Sequence, residues 1–333
     1  MDAFYASVEL LRAPTLNGLP VVIGGRRHRA EPDASGHARL RDYAGRGVVT
    51  TATYAARAFG VHSGMGLMKA AALCPDAVLL PADFDEYRRY SRLFKAAVAE
   101  LAPVIEDRGI DEIYIDLTDV PGAQADGGRD IAKRLRQHVR ETTGLTCSIG
   151  LAPNKLLAKI CSDLDKPDGL TIVTEADLAT RLWPLPVKRI NGIGPKANEK
   201  LEALGIRTIG DLAAADPAML VERFGASYGA WLHDAAHGRD DRPVVTHREP
   251  KSFSRETTFE RDLHPRHDRA ALGEIFTALC RQVAADLDRK GYAGRTIGIK
   301  LRYDDFTTVT RDRSLDHHTS DAQEIRRAAG ECL

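Results

Sequence analysis

The sequence predicts an α+β fold split into several domains, and three observations carry that expectation. The chain has 333 residues, more than one hydrophobic core usually supports. Between residues 104 and 173, strand-like and helix-like periods follow one another in the order β-β-α-β-α-β. That order suits one mainly antiparallel sheet with helices on one face. The texture then changes twice. Residues 176–238 read as short helices between glycine turns, "RDDRPVVTHREP" (239–250) has the composition of a linker, and strand patterns return from 251.

The opening "MDAFYASVEL" alternates apolar and polar residues and reads as the middle of a structured element, with no signal- or transit-peptide pattern. "VVIGG" (21–25) is a short apolar strand ending in glycines. Residues 26–46 carry Arg26, Arg27, Arg29, Arg39, Arg41 and Arg46 without a period, which predicts a mobile loop. "TTATYAARAFG" (50–60) predicts a helix with threonine near its start and Gly60 past its end. Over 84–101, Phe84, Tyr87, Phe94, Val98 and Leu101 recur on one helical face.

"VIEDRGIDEIYIDLTDV" (104–120) alternates on both sides of a glycine and predicts a hairpin with its tip near Gly109–Glu112. Ile131, Leu135 and Val139 mark a helix over 127–143, and "LTCSIGLA" (145–152) alternates as a strand. "PNKLLAKICSDLD" (153–165) reads as a helix with proline in its first turn. "KPDG" (166–169) is a turn and "LTIV" (170–173) a strand. Beyond the linker, "KSFSRETTF", a helix across 270–290 and "TIGIKLRYDDFTTVTRDRSL" make a second α+β unit.

Composition narrows the function classes. Hydrophobic residues at 43% and charged residues at 28% describe a globular protein, and no apolar run is long enough to cross a bilayer. Cys74, Cys147, Cys161, Cys280 and Cys332 are scattered and form no CxxC pair. That argues against a zinc site and a disulfide framework, so a reducing cytoplasm is the expected compartment. The formal charge is zero, yet residues 83–119 hold ten acidic residues against five basic ones. An acidic centre between basic arms suits a metal site beside a polyanion; solvated surface is the other reading.

Three motifs carry chemistry. At a tight hairpin tip the carboxylates of Asp111 and Glu112 can converge on one point. Such a pair suits Mg²⁺, and two such ions could clamp the attacking and leaving oxygens of a phosphoryl displacement. The pair alone also describes an ordinary exposed turn. Tyr54 and Arg57, three apart on one helical face, offer a phenol and a guanidinium to a triphosphate, or form a simple surface pair. Lys166, before Pro167, is a further phosphate contact or only a turn lysine. "INGIGPKANEKLEALGI" (190–206) reads as a helix-hairpin-helix whose glycines and helix start can cradle a phosphate without reading base sequence.

Taken together, "DAFYASVE", "TATYAARAFGVHSGM", "IDEIYIDLT", "CSIGLAPNKLLAKICSDLDKPDGL" and "INGIGPK" resemble the Y-family DNA polymerases of the DinB type, and these motifs cover nearly the whole chain. The resemblance implies a multidomain right hand: an antiparallel-sheet palm (1–10 and 80–173), small fingers (11–79), a helix-hairpin-helix thumb (174–240), a linker (241–250) and an α+β little finger (251–333). It implies two Mg²⁺ ions held by Asp111, with Glu112 its catalytic neighbour and the Met1 backbone carbonyl touching a metal. Tyr5 falls at the steric gate that excludes a ribose 2′-hydroxyl, with Phe4 beside it. Thr51, Tyr54, Arg57 and Lys166 match triphosphate contacts. Gly192, Gly194 and Lys196 match the thumb turn on DNA. Lys251, Ser252, Arg255 and Arg302 fall on strands, 251–259 and 295–310, that would lie along the duplex.

The implied reaction is attack of a primer 3′-hydroxyl on the α-phosphate of a dNTP paired to a template base, in low-fidelity translesion synthesis. Primer-template DNA and dNTP are the implied partners, for a cytoplasmic monomer that gathers at the nucleoid. A sliding clamp is expected from the family, but no clamp-binding peptide is visible. The sequence departs from the family pattern at its ends. Met1 and Asp2 align with the last two residues of an Asp-x-Asp motif, so the first aspartate is expected before Met1. The last little-finger strand is expected beyond "RRAAGECL". The chain therefore reads as a polymerase trimmed at both ends. The alternative is a catalytically impaired DNA-binding protein on the same scaffold.

Overall fold

The computed structural model describes residues 1–25, 33 and 36–333; Arg26, Arg27 and Arg29 of the predicted loop lie outside the described residues. The described chain divides into two compact units, Met1–His247 and Arg248–Leu333.

The first unit opens on a helix. The short alternation at the N-terminus is overridden by good helix formers, and Phe4–Arg12 is α1, burying Phe4, Ala6, Val8 and Glu9. The opening, whose sequence reads as the middle of a structured element and whose resemblance implied a metal-binding strand and turn, is helical from Phe4 and forms no strand over residues 1–3. A small mixed sheet follows, built from β1 (Val21–Gly24), β2 (Ala38–Arg39), β3 (Val49–Ala52) and, after two helices, β4 (Val78–Leu80). Its strand order is β2-β4-β1-β3, with β1 antiparallel to β3 and parallel to β4. The predicted helix over 50–60 splits: its β-branched start joins the sheet as β3, and Thr53 then caps the single turn α2 (Tyr54–Arg57). Inside the predicted loop, Ala38–Asp42 is ordered as β2 and a 3₁₀ turn. With α3 (Leu67–Leu73), this region closes its own core around Val22, Leu40, Val49, Leu67 and Leu79.

The next elements carry the predicted β-β-α-β-α-β order. First comes α4 (Phe84–Leu101), which buries Tyr87, Phe94 and Val98 as its period predicts, whereas Phe84 is largely exposed. Strands β5 (Ile105–Asp107) and β6 (Ile113–Ile115) form the predicted hairpin, with Glu106 opposite Tyr114. Then follow α5 (Arg129–Thr143), β7 (Ile149–Leu151), α6 (Lys155–Ser162) and β8 (Leu170–Ile172). Asn154 caps α6, so Pro153 stands just before the helix rather than in its first turn. Strands β7 and β8 pair in parallel. Among the described residues the ladders therefore form separate pairs rather than one mainly antiparallel sheet.

Four helices complete the unit: α7 (Pro195–Ala203), α8 (Ile209–Ala214), α9 (Pro217–Phe224) and α10 (Ala226–Ala236). Their apolar faces share a core with Leu156, Leu157 and Ile160 of α6. Beyond α10 the chain is tied down again. Asp240 accepts the Leu156 N–H at 2.9 Å, Lys155 donates to the Pro243 carbonyl at 2.6 Å, and the Val245 N–H donates to Glu106 at 3.0 Å.

The second unit packs α11 (Arg269–Lys290) and α12 (Ala322–Gly330) with a hairpin of β9 (Gly294–Arg302) and β10 (Thr308–Thr319). The predicted strand over 251–259 pairs with no strand among the described residues. Its alternation shows as half-burial of Phe253, Thr257 and Phe259. Side chains hold it instead: Phe253 sits against Tyr292 with ring centroids 5.3 Å apart, and Arg255 forks onto Asp286 at 2.5 and 2.8 Å.

Candidate active site

The β5–β6 turn places Asp111 and Glu112 in a cleft of about 730 Å³ that Lys159 and Lys166 also line. Glu112 Oε1 is 2.5 Å from the Lys159 ammonium, which lies 3.6 Å from Asp163; Asp163 in turn accepts from Lys166 at 2.6 Å. One line of ionic contacts thus joins the hairpin tip to the "KPDG" turn. Burial pushes the Lys159 pKa down, but the Glu112 hydrogen bond and the charges of Asp163 and Glu112 together outweigh it, and the ammonium ends above its ordinary range. Burial pushes Asp163 up, yet Lys166 and Lys159 together hold the carboxyl below the usual carboxylate range.

The Asp111 carboxylate makes no hydrogen bond or ion pair among the described residues. Its backbone carbonyl accepts from the Met1 nitrogen at 2.8 Å, so Met1 and Asp111 are adjacent across 110 positions. Among the described residues no three His, Cys, Asp or Glu side chains converge as a metal cluster. Two neighbouring carboxylates, one of them unpaired, nevertheless fit a hard cation that takes one or two protein oxygens and fills its shell with water and phosphate.

The half-buried Tyr5 ring stacks on Tyr87 with centroids 4.2 Å apart, and Tyr87 is fully buried with its hydroxyl donating to Glu9 at 2.7 Å. Burial raises the Tyr5 hydroxyl pKa, and the field of Asp111 raises it further. Phe4 is 3% exposed and packs among Val8, Tyr87 and Leu145, so it braces the site from behind rather than lining it.

Thr51, Tyr54 and Arg57 meet beside β3. Arg57 donates to the Thr51 hydroxyl at 3.4 Å and to the Ala52 carbonyl at 3.0 Å, and its guanidinium lies 5.0 Å from the Tyr54 ring centre. Burial raises the Tyr54 hydroxyl pKa first and the nearby Asp2 raises it next, while Arg57 lowers it.

At the helix-hairpin-helix, Gly192 has φ +116° and a Cβ there would meet the Trp231 ring at 2.7 Å, so glycine is needed for both reasons. Tyr228 donates to the Gly192 carbonyl at 2.9 Å. Gly194 caps α7, Pro195 opens it, and Lys196 is exposed beside that helix start. In the second unit Lys251 and Ser252 are exposed, Arg302 bonds Thr308, and Arg255 holds the Asp286 carboxyl down at about 2.

Sequence reasoning missed Lys159 and Asp163, and it named Asp2 only as the last residue of the Asp-x-Asp motif, without its buried contacts. Asp2 is 2% exposed. Lys155 and Lys159, four apart in an otherwise apolar helix, were the available signal for the lysines.

Known proteins match along the whole chain. The impB/mucB/samB family matches residues 1–163, its C-terminal domain matches 250–333, and the IMS family HHH motif matches 175–206. The DNA polymerase IV of Methanoculleus marisnigri is 44% identical over 333 residues, covering 100% of this chain and 87% of that protein. The DNA polymerase IV of Alkalilimnicola ehrlichii is 42% identical, covering 98% of this chain and 86% of its own. A solved Y-family DNA polymerase chimera superposes with a TM-score of 0.82 at 25% identity, over 99% of this chain and 90% of that one. The insertion ternary complex of Dbh DNA polymerase shares the fold with a TM-score of 0.67 at 24% identity, with the same coverage. The α+β architecture and the similarity along the whole chain identify a DNA-directed DNA polymerase, a nucleotidyltransferase. The chain belongs to the Y family, in its DinB type, the polymerases of translesion synthesis.

Proposed function

We propose that the β5–β6 turn is the centre of template-directed DNA synthesis, with Asp111 and Glu112 as the catalytic carboxylates and Mg²⁺ as their cofactor. The observation that carries this reading is the ionic line Glu112–Lys159–Asp163–Lys166, which ties the hairpin tip to the turn matched to the triphosphate. A dNTP triphosphate would replace Asp163 and Glu112 as the anionic partner of the two lysines. Arg57 and Tyr54, with Thr51 behind them, would take the outer phosphates from the β3 side. Tyr5, fixed by its stack on Tyr87, would close the space a ribose 2′-hydroxyl needs. The unpaired Asp111 carboxylate and the adjacent Met1 carbonyl would hold the ions, two in number. When bound, Mg²⁺ supplies Lewis-acid stabilisation to the attacking and leaving oxygens. The protein's own work is positioning: it aligns the primer hydroxyl and the α-phosphate in a preorganised polar site.

Separate apolar cores near Val22–Leu79 and Phe253–Ala329 support the inferred fingers and little finger, whereas the core over Leu156–Ala236 runs across the inferred palm–thumb boundary at 173/174. The exposed start of α7, with Gly192, Gly194 and Lys196, suits a duplex phosphate. Lys251, Ser252, Arg255 and Arg302 would add backbone contacts, of which Arg255 is already shared with Asp286. The protein would act as a cytoplasmic monomer on primer-template, recruited by a sliding clamp. Primer extension with dNTP and Mg²⁺ varied separately tests the reading. Product must require both and must follow the template base; untemplated or metal-independent extension contradicts it.

A further inference from the structure

Asp2 is 2% exposed, and both of its carboxylate oxygens are engaged. Oδ1 accepts from the Ser148 hydroxyl at 2.7 Å, and Oδ2 accepts from the Asp168 N–H at 2.8 Å. Ser148 in turn accepts from the Gly169 N–H at 3.2 Å. The Asp2 N–H donates to the Thr146 carbonyl at 3.1 Å, and the Ser7 hydroxyl donates to the Asp2 carbonyl at 2.7 Å, so the residue is itself fixed to α1 and to the approach to β7.

The turn it holds needs holding. Asp168 is a non-glycine residue with φ +56°, a left-handed conformation that an L side chain adopts at some cost. Its side chain is caught from the other side by Arg136, at 2.8 Å, and by Arg140. The turn is therefore clamped between the α5 arginines on the carboxylate of Asp168 and Asp2 on its amide. Lys166 stands two residues upstream, bonded to Asp163 and reaching into the cleft.

We infer that Asp2 is a positioning residue for Lys166: its buried carboxylate fixes the 166–169 turn so that the ammonium meets the triphosphate in one geometry. The inference rests on the reading of Lys166 as a triphosphate contact. Loss of the clamp acts on dNTP binding through the lysine, rather than on the carboxylates of the β5–β6 turn.

Steady-state single-nucleotide incorporation by the full-length protein on primer-template DNA tests it. Asp2→Ala is expected to raise KM for dNTP roughly tenfold while kcat stays within about threefold. Asp2→Asn is the conservative rescue. Its carbonyl can still accept from Asp168 and its amide can turn to the Ser148 oxygen, so KM should stay within about threefold of the parent. Should Asp2→Ala fail to fold, Ser148→Ala removes half of the clamp and should raise KM by about threefold. Lys166→Ala separates the two levels. If it leaves KM unchanged, the lysine assignment falls and the inference with it. If it raises KM while Asp2→Ala does not, the inference alone falls. In the double variant Asp2→Ala/Lys166→Ala, the KM of Lys166→Ala is expected; multiplied effects would show that Asp2 acts elsewhere and overturn the proposal.

Discussion

Lys159 joins Glu112 of the hairpin tip, 2.5 Å away, to Asp163 at 3.6 Å. One ammonium on α6 thus neutralises Glu112, the proposed catalytic carboxylate, and Asp163, which also pairs with Lys166. Lys159→Ala leaves both acids without it. The expected result is a drop in kcat/KM for dNTP of about 10- to 100-fold, with primer-template affinity unchanged. Lys159→Arg keeps the charge and should lose less. Single-nucleotide incorporation beside a DNA-binding titration checks both variants.

In the proposed reading, sugar selection rests on a ring that its neighbours hold still. Tyr5 lies on Tyr87, whose hydroxyl is tied to buried Glu9. Tyr5→Ala should cut discrimination against ribonucleotides by about 100-fold, because a steric barrier disappears. Tyr5→Phe keeps the ring and should preserve it. Competition between dNTP and rNTP in primer extension measures the ratio.

A buried ion pair anchors the end of the first unit. The side chains of Lys155 and Glu106 are 8% and 1% exposed and meet at 2.7 Å, with Pro243 and Val245 bonded to the same pair. Glu106→Gln should destabilise the protein by about 3 kcal/mol, because the ammonium stays buried without its anion. Glu106→Met with Lys155→Met should recover most of that loss. Urea unfolding reads the stabilities, and faster amide exchange at Val245 would report the freed segment.

Acid should loosen the 166–169 turn. Burial pushes the Asp168 carboxyl up, but Arg136 and Arg140 outweigh it and leave the folded-state pKa below the ordinary value. A depressed pKa contributes stability that is present above the unfolded pKa, about 4, and lost as pH falls through the folded value. The stability advantage of the parent over Asp168→Asn should therefore hold from neutral pH to about pH 5 and shrink below about pH 4. Denaturant midpoints across that range decide it; a constant difference would contradict the assignment.

Much of the fold was legible where the signal was long or chemically specific. The α4 and α5 faces and the hairpin around Gly109 follow from hydrophobic period and turn chemistry. Short elements resisted. Thr50–Ala52 reads as helix by proximity to Tyr54–Arg57, but strand pairing with β1 decides it. Phe4–Arg12 alternates over too few residues to separate period two from 3.6. At the site, Asp111, Glu112, Tyr54 and Arg57 stood out because neighbours in sequence act together. Lys159 did not, because its bond to Glu112 spans 47 positions, and the contacts of Asp2 were equally hidden, since its bond to Asp168 spans 166.

The central claim is that Asp111, the unpaired carboxylate of the hairpin turn, is the catalytic metal ligand. Mg²⁺-dependent primer extension by full-length Asp111→Ala tests it most directly. Activity should fall by about 1,000-fold or more, with folding and primer-template affinity retained. Extension at the parental rate by a folded Asp111→Ala protein would contradict the account.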